Sequence, residues 1–190
     1  MKKILFLSTI IFFVNTTTFS QNPYFMNKTA DFGIAVAAWF GGEVNLEDLN
    51  VDINKETSFL LHGFADFYLI EKLAMGIYVN YSSTSFEEVD ETASIYEFGV
   101  SIKPRFITSD GSLAIKPGLE IGYRGESVDV PGADEVQALG VNLSVEFQFY
   151  ANNNFAPFGI IGFLSQPAGG SDDTDVKFAP IFYVGGGIAF

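Results

Sequence analysis

Apolar residues recur at every second position through most of this chain, in separate runs. In "ADFGIAVAAWF", Phe32, Ile34, Val36, Ala38 and Phe40 alternate with Gly33, Ala35, Ala37 and Trp39. "TSFLLHGFADFYLI" sets Phe59, Leu61, Ala65, Phe67 and Leu69 against His62, Asp66 and Tyr68. "LAMGIYVNYS", "IYEFGVSIKPRF", "LAIKPGLEIGYR" and "LGVNLSVEFQF" continue the rhythm with Ile77, Val100, Ile121 and Leu143 at their centres. "FAPFGIIGFLS" is apolar on both faces, and "FYVGGGIAF" puts Phe182, Val184, Ile188 and Phe190 opposite Gly185, Gly187 and Ala189. A period of two is the signature of β-strands whose two faces meet different surroundings. The pattern predicts eight strands of roughly ten residues, the length of a strand crossing a bilayer at a tilt near 45°.

The connections alternate in length. Segments 41–57, 84–93, 125–136 and 166–177 are long, whereas those at 70–72, 107–112 and 151–154 are short. This predicts an all-β fold: an eight-stranded antiparallel up-and-down transmembrane β-barrel, with long loops outside and short turns in the periplasm. Pro104, Pro117, Pro157 and Pro180 each remove a ladder hydrogen bond, so bulges or frayed ends are expected there.

Charge follows the same topology. Of the 23 acidic residues, 16 fall in the four long segments, among them the clusters "FEEVDE" and "SDDTD", opposed there only by Lys55 and Lys177. Aromatics sit near strand ends, as at Phe32 and Phe40, Phe59 and Phe67, Tyr96 and Phe106, Phe182 and Phe190. Aliphatic and small residues fill the middles. Two aromatic girdles around an aliphatic band suit a wall that meets two membrane interfaces. A soluble lipocalin-like barrel, the competing fold, would carry an apolar cavity inside; inward Glu, Lys and Arg oppose it.

The N-terminus opens with Lys2 and Lys3, an apolar run from Ile4 to Val14 and a polar stretch to Ser20. That run is too short to span a bilayer as a helix and has the regions of a secretory signal peptide. Residues 1–20 are read as the signal and 21–190 as a single barrel domain. Losing the two lysines takes the formal charge from −13 to −15. Hydrophobic residues at 48%, with 21 Phe, exclude disorder, and the acidity argues against nucleic-acid binding. With no cysteine there is neither a disulfide frame nor a thiolate metal site.

The signal region, the eight-strand rhythm and the closing Phe190 resemble the small eight-stranded outer-membrane β-barrel proteins of the OmpA/OmpX type, the porin-family outer-membrane β-barrel domain. The resemblance covers residues 21–190. It implies the outer membrane of a Gram-negative bacterium, contact with membrane lipid and lipopolysaccharide, and recognition of the terminal strand, through Phe190, by the barrel-assembly machinery.

A barrel of eight strands is only wide enough for its own side chains. The inward faces of strands four to six carry Glu97, Lys103, Arg105, Lys116, Glu120, Arg124 and Glu146, read as long side chains reaching into space left by Gly and Ala of the first and last strands. The loop joining the fifth and sixth strands places residues whose numbers sum to about 262 opposite each other. Lys116 is therefore expected beside Glu146, with Lys103 close to Lys116. His62, the one histidine, shares a face with Asp66 about 13 Å away, and no serine stands two residues to either side. Gly185–Gly187 has no helix after it and is no phosphate loop. The acidic segments lack EF-hand spacing and suit at most weak calcium or magnesium binding. The leading functional reading is a non-enzymatic barrel, structural or surface-binding, with no catalytic residue, cofactor or fixed metal site. A small pore with a charged lumen, or a surface enzyme around His62, remain the alternatives.

Overall fold

The computed structural model describes residues 28–46, 51–85, 92–109, 111–128, 135–150, 155–171, 174–178 and 180–190. The proposed signal region, residues 1–20, lies outside them. The strands are β1 (Ala30–Gly41), β2 (Glu43–Leu46), β3 (Val51–Asn54), β4 (Ser58–Ile70), β5 (Leu73–Ser85), β6 (Thr92–Pro104), β7 (Phe106–Ile107), β8 (Leu113–Val128), β9 (Val136–Phe149), β10 (Ala156–Ser171), β11 (Thr174–Phe178) and β12 (Ile181–Ala189). Eight of them, β1, β4, β5, β6, β8, β9, β10 and β12, form the wall, each antiparallel to its neighbour. β12 pairs with both β10 and β1, so the sheet closes into a barrel. Closure removes every wall edge and gives each wall strand two ladders. The last residue joins the seam too: Phe190 and Phe32 exchange backbone hydrogen bonds of 2.8 and 3.2 Å.

The wall turns its apolar face outward. Val36, Ile77, Val100 and Leu143 are all more than half exposed, and Val100 reaches 61%. The inward positions between them are buried. A soluble barrel would show the reverse.

The long connections differ from the sequence reading. Segments 41–57 and 166–177 hold paired strand for much of their length: β2 pairs with β3 and with β11, and β11 continues from β10. The wall therefore rises past the band, and Gly42, at φ 95°, bends β1 into β2 in a conformation that L side chains rarely adopt. The tips 47–50, 86–91, 129–134 and 172–173, which hold ten of the acidic residues, lie outside the described residues.

The prolines behave in three ways. Pro104 falls opposite Pro117 in the β6–β8 register, and the ladder lapses between Ile102–Leu119 and Phe106–Ile115, splitting one wall strand into β6 and β7. Pro180 stands just before β12. Pro157, contrary to expectation, pairs with Ile188 without any shift. The irregularity in β10 lies instead between Ser165 and Ala168, a stretch containing Pro167.

Candidate functional site in the barrel lumen

Inward positions from five strands meet in one charged cluster. β8 and β9 pair with Lys116 directly opposite Glu146, the register the sequence predicts. Lys116 Nζ lies 3.1 Å from Glu146 Oε2, 3.1 Å from Asp66 Oδ2 and 3.5 Å from Asp31 Oδ2. Lys103 Nζ lies 2.7 Å from Glu146 Oε1, 3.3 Å from Asp66 Oδ1 and 3.6 Å from Glu120 Oε1. Two lysines on adjacent strands would repel, so the carboxylates between them are what makes their burial tolerable. Asp31 also pairs with Lys28 at 2.6 Å and accepts from Gln148 at 3.3 Å and from Tyr68.

Above this cluster sits a second. Arg124 Nε is 3.1 Å from Glu97 Oε2, while Tyr78 donates to Glu97 Oε1 at 2.6 Å. Asn142 Nδ2 donates to Glu120 at 2.5 Å and its oxygen accepts from Tyr183 at 2.8 Å. At the outer mouth Lys55 pairs with Glu126 at 2.5 Å. Burial holds the Lys55 ammonium below the usual lysine range, and Glu126 opposes that shift. Glu126, read from sequence as a loop acid, belongs to β8 and points inward. At the short-turn end Arg105 donates to the Glu71 carbonyl at 2.9 Å through Nε and stacks 3.9 Å over the Tyr68 ring.

The other half of the lumen is apolar. Trp39, Phe64, Phe158, Ile160, Leu164 and Ile181 are buried together. Arg124 reaches this side, where it lines a small gap with Trp39, Leu164, Ile181 and Tyr183. An inward Cβ at Gly185 would strike the Val36 carbonyl, and one at Gly187 the Ile34 carbonyl. β12 runs hard against β1 here, and Gly is required for that approach. Gly33 serves differently. The Phe64 ring lies where its Cβ would be, and reaches to 4.2 Å from Lys103 Nζ and 5.1 Å from Lys116 Nζ.

All seven lumenal charges expected from sequence are inward and buried. Asp66, His62 and Asp31 join them; alternation had already put Asp66 and His62 on an inward face. His62 is 1% exposed, its Nδ1 2.7 Å from Asn80 Oδ1 and its Nε2 3.9 Å from Glu120 Oε1. It is a lumenal side chain, so an enzyme centre at the surface around it has no basis in its position. Among the described residues no group of His, Asp and Glu has metal-binding geometry. A cavity of about 10 Å³, room for one water, lies between Trp39 and Arg124. The side chains of Lys103, Lys116, Asp66, Glu120 and Glu146 have no solvent-accessible surface.

No family model and no curated protein matches this sequence. Solved structures do. Neisserial surface protein A superposes with a TM-score of 0.58 at 15% identity, covering 85% of this chain and 98% of that one. OprG from Pseudomonas aeruginosa gives 0.59 at 10% identity, covering 87% and 98%. The fold is that of the small outer-membrane β-barrels. Ail, the attachment invasion locus protein of Yersinia pestis, superposes with 0.51 at 12% identity over 86% of this chain and 100% of that one. At identities of 10–15% the likeness is one of fold alone.

Proposed function

We propose that this chain is an integral outer-membrane protein of a Gram-negative bacterium, non-enzymatic and non-conducting, whose working surface is the acidic set of hairpins above the band. The observation that carries this is the combination of an apolar outer wall with a lumen whose central charges touch no water. An ion path needs a continuous wet surface, and the layer of Lys103, Glu146, Lys116 and Phe64 interrupts it. The acidic tips attract divalent cations and repel anions, and surface binding suits the resemblance to Ail, which is named for attachment. Phe190, outward, 52% exposed and with its ring edge-on to Phe155, serves as a mark for the barrel-assembly machinery, and the apolar band takes outer-membrane lipid, lipopolysaccharide included. Fractionation with heat-modifiable gel mobility tests the reading. A band that shifts on boiling and extracts only with detergent supports it; release without detergent overturns it.

A further inference from the structure

The outer wall is layered by depth on one side only. Across β5, β6, β8 and β9, outward residues fall into rows set by the register. Val79, Phe98, Tyr123 and Leu139 form one row, and Tyr81, Tyr96, Gly125 and Gln137 the next. Above them stand Ser83, Ser94 and Ser127. Toward the same end of β10, β12 and β1 the row is Phe163, Phe182 and Phe40. One side of the rim is therefore phenylalanine, which offers a headgroup no hydrogen-bonding group. The other passes from a mixed aliphatic and aromatic row to Tyr81 and Tyr96 and then to serine hydroxyls.

The tyrosines are fixed in place. Tyr96 and Tyr123 both donate to the same oxygen of Glu135, at 3.1 Å from Tyr123, and their rings lie 6.2 Å apart. Tyr81, beside Tyr96, is half exposed. Charge decides what such a surface can take. Among the described side chains, Lys55, Lys103, Arg105, Lys116 and Arg124 are buried, and Lys28 and Lys72 sit at the short-turn end. No described cation stands near these rows, and the nearest charge is the Glu135 carboxylate. A phosphate would meet repulsion there. Uncharged hydroxyls would meet donors and acceptors in the serines, an acceptor in Glu135 and flat apolar rings below.

We propose that the β5–β9 rim is a docking strip for the sugar headgroups of glycolipids in the outer leaflet, and that it discriminates against phosphate headgroups. The strip rests on the outer-membrane reading, since it needs the aromatic row to lie at the membrane interface. Sugar rings would lie on Tyr81 and Tyr96 and bond to Ser83, Ser94 and Ser127.

The test uses the refolded chain in mixed micelles containing digalactosyl diacylglycerol and phosphatidylglycerol in equal amounts. Native mass spectrometry reads the lipid retained. The strip predicts galactolipid retained over phosphatidylglycerol by about threefold or more, the ratio one net hydrogen bond supplies. Replacing the three serines together (S83A, S94A and S127A) should lower the ratio, leaving only the part that Glu135 supplies, while the heat-modifiable band persists, since these side chains are outside the packed lumen. A folded barrel that retains phosphatidylglycerol equally or better, or a triple variant with an unchanged ratio, overturns the inference alone. Loss of heat-modifiable mobility in the unaltered chain overturns the membrane reading and this inference with it.

Discussion

Glu146 reaches two lysines at once, 2.7 Å from Lys103 Nζ and 3.1 Å from Lys116 Nζ, from the middle of a barrel wall. It shares that position with Asp66, which lies 3.3 Å from Lys103 Nζ and 3.1 Å from Lys116 Nζ. Glu146→Ala should therefore lower stability by about 3–5 kcal/mol, because it leaves buried ammonium groups underpaired. Lys116→Ala combined with Glu146→Ala should cost less than the sum of the single changes. Urea titration followed by gel mobility gives both numbers, and additive losses would contradict the pairing.

A second prediction concerns the wall. Val100 is outward at mid-strand, and Val100→Arg should destabilise by about 2–4 kcal/mol in a bilayer, whereas Ser127→Arg near the rim should cost about 0–1 kcal/mol. Equal costs in vesicle refolding would contradict the depth assignment. Ser144→Arg, the milder inward control that a loosely filled lumen would suggest, is unsuitable: Ser144 is buried, and its hydroxyl lies 2.7 Å from where a Cβ on Gly118 would stand.

Gly33 supplies a third. Gly33→Ala drives a methyl into the Phe64 ring and should cost about 1–3 kcal/mol by overpacking. Adding Phe64→Leu should recover part of that loss. If the double variant is as unstable as the separate losses combined, the ring does not occupy that place.

Much of this was legible because strand alternation carries two pieces of information at once. It located all eight wall strands and their lipid-facing side, and with one loop position it put Lys116 against Glu146. Asp31 was not singled out, although its parity with Gly33 placed it inward; its partners Lys116, Tyr68 and Gln148 come from other strands. β2 and β3 were read as loop, yet Val44 and Leu46, then Val51 and Ile53, alternate with polar residues. Their acids masked the pattern. The packing of Phe64 over Gly33 had no signal in one strand alone, because it depends on the register between β1 and β4.

The acidic tips give a fourth prediction. Glu87, Glu88, Asp90 and Glu91 lie within one tip, and Asp172 and Asp173 in another. Millimolar calcium or magnesium should slow proteolysis at these tips, weakly and without one saturating site, through screening and loose carboxylate ligation. Cleavage unchanged across that range would contradict it.

The most direct measurement of the central claim is single-channel recording on the refolded barrel in a planar bilayer. A lumen closed by Lys103, Glu146, Lys116 and Phe64 predicts insertion without discrete current steps, while the same sample keeps its heat-modifiable mobility. Reproducible ion-selective steps from that folded sample would contradict the closed lumen.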